Sequence, residues 1–168
     1  LINELNKIFP GITDQKCFPL YNGINNIFLS KKLVEVKDPY FFTAARFSPI
    51  KGIDLILNIT EEYIGYRLII AGGSENDLRI IDEYNIPNEC LLIGKISPEK
   101  MANYLQKTSI TVIPSRFESF GIFVAEAICS GSPIVVSKVG GVPELIKLAK
   151  MNLDHFGKTI FDKWVRLS

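Results

Sequence analysis

The sequence predicts a doubly wound α/β domain built on one parallel sheet, in the Rossmann-like manner, and three observations carry that prediction. From residue 40 onward, short β-rich runs alternate with helical stretches. Each run is almost wholly apolar, which marks strands buried on both faces and joined by right-handed helical crossovers. The length, 168 residues with 47% apolar content, supports one domain with a core and is short for two enzyme lobes.

The elements follow in order. Residues 1–15 read as a linker or terminal segment, 16–150 as the domain and 151–168 as a C-terminal helix. The strand candidates are Tyr40 to Ala45, Tyr66 to Ala71, Cys90 to Ile93, Ile110 to Ile113 and Ile134 to Val136. Between Ile53 and Tyr63, the apolar positions Ile53, Ile56, Leu57 and Ile59 favour one face of a helix. Ser74 with Glu75 and Asp77 behind it opens a second helix, and Ser97-Pro98-Glu99 a third, with an N-cap followed by proline in the first turn. A further helix starts near Ser119 to Gly121. In such sheets ligands sit outside the carboxyl ends of the strands, where loops lead into helices.

Composition narrows the function. Nineteen basic residues nearly cancel eighteen acidic ones, so no strong field attracts nucleic acid or an anionic membrane, and no nucleic-acid partner is expected. Cys17, Cys90 and Cys129 are odd in number and lack C-x-x-C spacing, which argues against a disulfide framework and fits a reducing cytoplasm. The single histidine, His155, supplies no metal cluster, so the chemistry is expected to be metal-free and without a cofactor. No apolar run approaches the roughly 18 residues of a membrane span, and Glu4 and Lys7 interrupt the start where a signal peptide would be apolar. The chain opens on leucine, so an upstream part is expected to exist.

Three loops carry candidate chemistry. In Pro114 to Ala127, Glu118 falls in a loop and Glu126 about two turns inside the following helix, among Ile122, Phe123, Cys129 and Ser130. A carboxylate on so apolar a surface needs donors; a ribose cis-diol is one, and a structural Lys or Arg is the alternative. Backbone N–H groups from Ser119 to Ile122 suit a diphosphate, and Gly121 allows close approach. In Arg46-Phe47-Ser48-Pro49-Ile50-Lys51-Gly52, Lys51 at a helix N-terminus is disfavoured by the helix dipole unless an anion stands beside it. Arg46 adds a planar fork for phosphate oxygens; two surface cations are the plainer reading. Gly140-Gly141-Val142-Pro143-Glu144 is either a tight turn or a border of the same crevice. Gly72-Gly73 lacks dinucleotide-fingerprint spacing and reads as a turn, while Arg116 offers a cation of unknown direction.

Together the order Arg46-x-x-x-x-Lys51-Gly52, Gly94 after a strand, Glu118 and Glu126 separated by seven residues, and Gly140-Gly141-x-Pro143-Glu144 resembles the retaining GT-B glycosyltransferases of the glycogen-synthase-like group. The likeness spans roughly residues 20 to 146, from Asn22-Gly23-Ile24-Asn25, which is similar to the start of that family's C-terminal lobe. The resemblance implies a lobe that binds a nucleoside-diphosphate sugar, with Arg46 and Lys51 on the diphosphate and Glu126 on the ribose. It also implies that Glu118, with the backbone of Phe120, Gly121 and Ile122, meets the transferred sugar and that backbone near Lys95 and Ile96 borders the base; Gly140 and Gly141 are counted among the donor contacts from their place after the Ile134 strand. Arg46, Lys51 and Glu118 are the catalytic candidates, and the family transfers sugar without a bound metal.

The N-terminal lobe that holds the acceptor in the family is missing, as is the glycine segment after Glu144 that leads to a further strand. Peripheral membrane contact is left to that absent lobe. The tail from Lys158 to Leu167, with Phe161 and Trp164, is similar to the family's closing helix. His155 reads as a helix-face residue, and Asp54 and Asn25 receive no role. The expected activity is sugar transfer to a hydroxyl with retention, the isolated chain binding donor but barely catalysing. A sugar-nucleotide epimerase on the same fold and a catalytically silent binding scaffold are the alternatives.

Overall fold

The computed structural model describes residues 7–8, 10, 20–29, 39–62, 66–73, 86–151 and 165–167. Six strands form one sheet: β1 (Tyr40–Ala44), β2 (Arg67–Ala71), β3 (Cys90–Gly94), β4 (Ile110–Ile113), β5 (Ile134–Val136) and β6 (Val165–Leu167). Their order is β3-β2-β1-β4-β5-β6, and every pairing is parallel. Four helices are described: α1 (Ile53–Glu62), α2 (Pro98–Lys107), α3 (Ile122–Cys129) and α4 (Val142–Met151). The α/β expectation holds, and the strand candidates agree with β1 to β5 within one residue at each end.

Both faces of the sheet are covered, as the wholly apolar strands require. Along β2, Leu68 and Ile70 pack with Phe47 and with Ile53, Ile56 and Leu57 of α1. Ile69 and Ala71 point to the opposite face, among Leu105 of α2, Val124 of α3 and Ile146 of α4. The side chain of Ile59 lies outside the described set. Phe42 of β1 is fully buried and stacks on Tyr104, with ring centroids 5.2 Å apart. Burial of such a side chain stabilises by roughly 1.5–3 kcal/mol.

The helix punctuation is partly as read. Ser97 caps α2, its hydroxyl accepting from Lys100 N–H at 3.4 Å, with Pro98 in the first turn. The helix expected after Ser74 and the region around His155 and Trp164 lie outside the described residues. At the chain's end the closing-helix expectation is corrected over its last described residues. Val165–Leu167 is a strand that extends the ladder at β5, with Ile134 opposite Val165. A Val-Arg-Leu segment suits a pleated edge, and pairing satisfies backbone groups that β5 would otherwise expose there. A further strand therefore does follow Glu144, after α4.

Candidate functional site

Strand order reverses between β1 and β4, and at their carboxyl ends lies a cleft of about 430 Å3. This is the topological switch point, where open α/β sheets bind ligands, and the volume falls in the ~300–1,000 Å3 range of small-molecule sites. Thr43, Ala44 and Ala45 contribute from the β1 end, Ile113, Pro114 and Ser115 from the β4 end, and Glu118 to Phe123 from the loop and first turn of α3. Lys51, Gly72, Met101, Asn22 and Glu126 complete the wall. Gly121 is the N-cap of α3 in the left-handed region, so the helix starts at Ile122 and Glu126 stands one turn inside, nearer the cleft than two turns would place it. The first N–H groups of the helix have no intrahelical acceptor.

Lys51 and Glu118 meet directly, Nζ to Oε1 at 2.6 Å, with side chains only 25% and 13% exposed. The Ser115 hydroxyl donates to the same Oε1 at 2.8 Å. The expectation of Lys51 at a helix N-terminus is refined: it ends a 3-10 turn, Pro49–Lys51, and Gly52 separates it from α1. At the end of that turn the dipole no longer disfavours the cation, and its described partner is the Glu118 carboxylate. Close backbone contacts hold the pair. Gly52 has φ of 65°, and a Cβ there would lie 2.1 Å from the Pro114 carbonyl oxygen. Gly140, at φ of 52°, would put a Cβ 1.7 Å from the Glu118 carbonyl oxygen. Both positions require glycine on conformation and on space.

Glu126 is half-buried, and burial pushes its carboxyl above the usual carboxylate range. No hydrogen bond or ion pair to it is formed among the described residues, so the structural Lys or Arg of the plainer reading is not found there. Glu126 and Met101 also line a second cavity of about 240 Å3, walled by Asn25, Phe28, Ile96 and Pro98. One carboxylate thus belongs to two adjoining spaces.

Other candidates are placed differently. Arg46 is exposed, one residue beyond the cleft wall at Ala45, and is not itself in that wall. Lys95 is exposed, while its neighbour Ile96 reaches the second cavity. Gly140 and Gly141 do not line the cleft; they pack on the backbone of Glu118, Ser119 and Phe120, with Gly141 N–H donating to Glu118 O at 3.1 Å. Their part is to shape the loop. Arg116 turns away from the cleft to a bidentate pair with Asp54 and a bond to Pro49 O at 2.7 Å. That guanidinium holds the Asp54 carboxyl below its usual range.

Sequence reasoning missed Ser115, Met101 and Asn25, and a contact from Tyr21 OH to Glu144 Oε1 at 2.7 Å that ties residue 21 to α4. Ser115, three residues before Glu118 at a strand end, was the one with a readable signal. Among the described residues no three His, Cys, Asp or Glu side chains come together as a metal site, and no helix is long and apolar enough to cross a membrane.

Residues 25–155 match the family model described as glycosyl transferases group 1. D-inositol 3-phosphate glycosyltransferase of Mycolicibacterium smegmatis is 31% identical over 106 residues, 58% of this chain and 24% of that protein. An uncharacterised glycosyltransferase of Methanocaldococcus jannaschii is 27% identical over 130 residues, 76% of this chain and 36% of that protein. The chain therefore spans about a quarter to a third of the curated relatives it matches. Among solved structures, sucrose-phosphate synthase from Thermosynechococcus elongatus aligns with a TM-score of 0.58 at 26% identity, over 67% of this chain and 31% of that one. HepE of Anabaena, solved in complex with UDP, gives a TM-score of 0.58 at 20% identity, over 79% and 35%, a likeness of fold.

Proposed function

The chain belongs to the group 1 glycosyl transferases, and from that premise we propose that it is the donor-binding lobe of a retaining glycosyltransferase, holding a nucleoside-diphosphate sugar in the switch-point cleft. The observation that carries the reading is Glu126: a desolvated carboxylate with no partner among the described residues, one turn inside a helix whose start lines the cleft. A ribose cis-diol donates two hydrogen bonds to such a group and offsets its desolvation. The diphosphate then lies against the start of α3, where unpaired N–H groups and the helix dipole favour an anion.

Lys51 contributes charge there. Its ammonium has three donors and Glu118 takes one, leaving others for phosphate oxygens. Arg46, on the exposed loop after β1, reaches in from the rim. These cations and the helix terminus stabilise negative charge on the departing diphosphate, without a metal ion or other cofactor. Glu118, Phe120, Gly121 and Ile122 border the transferred sugar. The base lies in the second cavity beside Ile96, near Lys95. Gly140 and Gly141 act on the donor through the loop they support. An acceptor hydroxyl, brought by a second lobe, attacks the sugar carbon with retention.

The Anabaena structural neighbour was solved in complex with UDP, in keeping with a nucleotide as ligand. The named relatives are glycosyltransferases and a synthase, which gives the epimerase and scaffold alternatives no support. Calorimetric titration of UDP, GDP, ADP and their sugars into the chain tests the reading. Binding by the parent, weakened at least tenfold by Glu126→Ala and by Arg46→Ala, is the expected result. A folded parent that binds none of them would sink it.

A further inference from the structure

Arg116 and Asp54 do not line the switch-point cleft, yet they join the two loops that meet in it. Lys51 ends the turn Pro49–Lys51, and its partner Glu118 lies on the loop after β4, 67 residues further along the chain. Two side chains so far apart in sequence meet only if their loops are held in register.

Arg116 bonds across those loops at three places. Its Nη1 donates to Pro49 O and to Asp54 Oδ1, both at 2.7 Å, and its Nη2 to Asp54 Oδ2 at 2.5 Å. Its backbone N–H donates to Ile50 O at 2.7 Å. The acceptors at 49, 50 and 54 stand on either side of Lys51 in the chain. Arg116 itself follows Ser115 and precedes Glu118 by two residues, and both of these bond at the ion pair. With side chains 45% and 29% exposed, the Arg116–Asp54 pair contributes little to stability. A planar fork that grips both oxygens of a carboxylate contributes direction.

We propose that Arg116, oriented by Asp54, is a positioning residue of the donor site: it fixes the turn that carries Lys51 against the loop that carries Glu118, and so sets where the ammonium stands for the diphosphate. The inference rests on the donor-lobe reading, in which Lys51 meets that group. A lysine at position 116 keeps the charge but not the fork, since a single ammonium on a flexible stem does not hold Pro49 O and both Asp54 oxygens in fixed directions.

Calorimetric titration of UDP, GDP and ADP tests this, with the parent beside Arg116→Lys, Asp54→Asn, Lys51→Ala and each of the first two combined with Lys51→Ala. Circular dichroism checks that each is folded. For the diphosphate that the parent binds most tightly, Arg116→Lys and Lys51→Ala are each expected to weaken binding about tenfold, the low end for a hydrogen bond to a charged group. Asp54→Asn weakens it in the same direction and serves alone if Arg116→Lys does not fold. Each double variant is expected to bind no more weakly than Lys51→Ala, because a displaced ammonium and an absent one are equivalent. A merely structural loss would add to that of Lys51→Ala in full. Such addition, or parental affinity in Lys51→Ala or in both Arg116→Lys and Asp54→Asn, overturns the positioning role and leaves the donor site standing. A folded parent that binds none of the three nucleotides overturns the donor site and this role together.

Discussion

Glu126 is held above its ordinary pKa of 4.5 by desolvation, and that gives it a signature in stability. A carboxyl whose folded pKa is raised favours folding while protonated, so its contribution is present below about pH 4.5 and is lost as pH rises through the folded value. Glu126→Gln is therefore expected to raise the urea midpoint at pH 7 and to leave it nearly unchanged at pH 4 or below, while weakening nucleotide binding. Destabilisation at pH 7 would mean that the carboxylate is held by a protein donor. The neighbouring pair acts through direct contact. Lys51→Ala leaves Glu118 with Ser115 as its described donor, and a cost of about 1 kcal/mol is expected, between exposed and buried pairs. In a Glu118→Gln background that cost should shrink; an equal cost in a double-mutant cycle would show that the contact carries no coupling.

At the scale of elements, the start of α3 and the turn before α4 form one unit. Gly141 N–H donates to Glu118 O, and Gly140 leaves no room for a Cβ above the same carbonyl. Gly140→Ala is thus expected to destabilise by about 1–3 kcal/mol from backbone strain, with loss of nucleotide binding as the loop shifts. An alanine variant with parental binding and melting temperature would show that the two loops are not so locked. Element starts differed in legibility for a local reason. Ser97-Pro98 declares its helix within four residues, through a side-chain cap and a ring. The start of α3 rests on the left-handed Gly121, and no side chain announces it, so the sequence placed the start up to three residues early.

For the whole molecule, the switch-point cleft gathers its wall from β1, β4 and α3. The chain spans 24% and 36% of two curated relatives. It is expected to bind donor alone and to transfer sugar several orders of magnitude more slowly than when joined to an acceptor lobe. Single-turnover assays with labelled donor would check this. Transfer by the chain alone at an ordinary kcat of about 1–1,000 per second would remove the need for that lobe.

The α/β architecture was present in the sequence because burial on both faces writes itself as uninterrupted apolar runs, and β1 to β5 could be read from them. The loops that carry the site were legible for the same reason: each follows a strand. Directions were not. Arg116 and Lys51 are both cations in loops at the β1–β4 edge, yet one turns to Asp54 and the other to Glu118 in the cleft. Neither choice has a local signal, since each partner is more than sixty residues away in the chain. Likewise Val165–Leu167 carries no helix-breaking residue to mark it as a strand, and only the unpaired edge of β5 gives it that conformation. Residue type and strand periodicity are local and determine what can be buried. Which charges meet, and which edge a short segment completes, depends on contacts between distant parts of the chain, and the tertiary structure alone decides them.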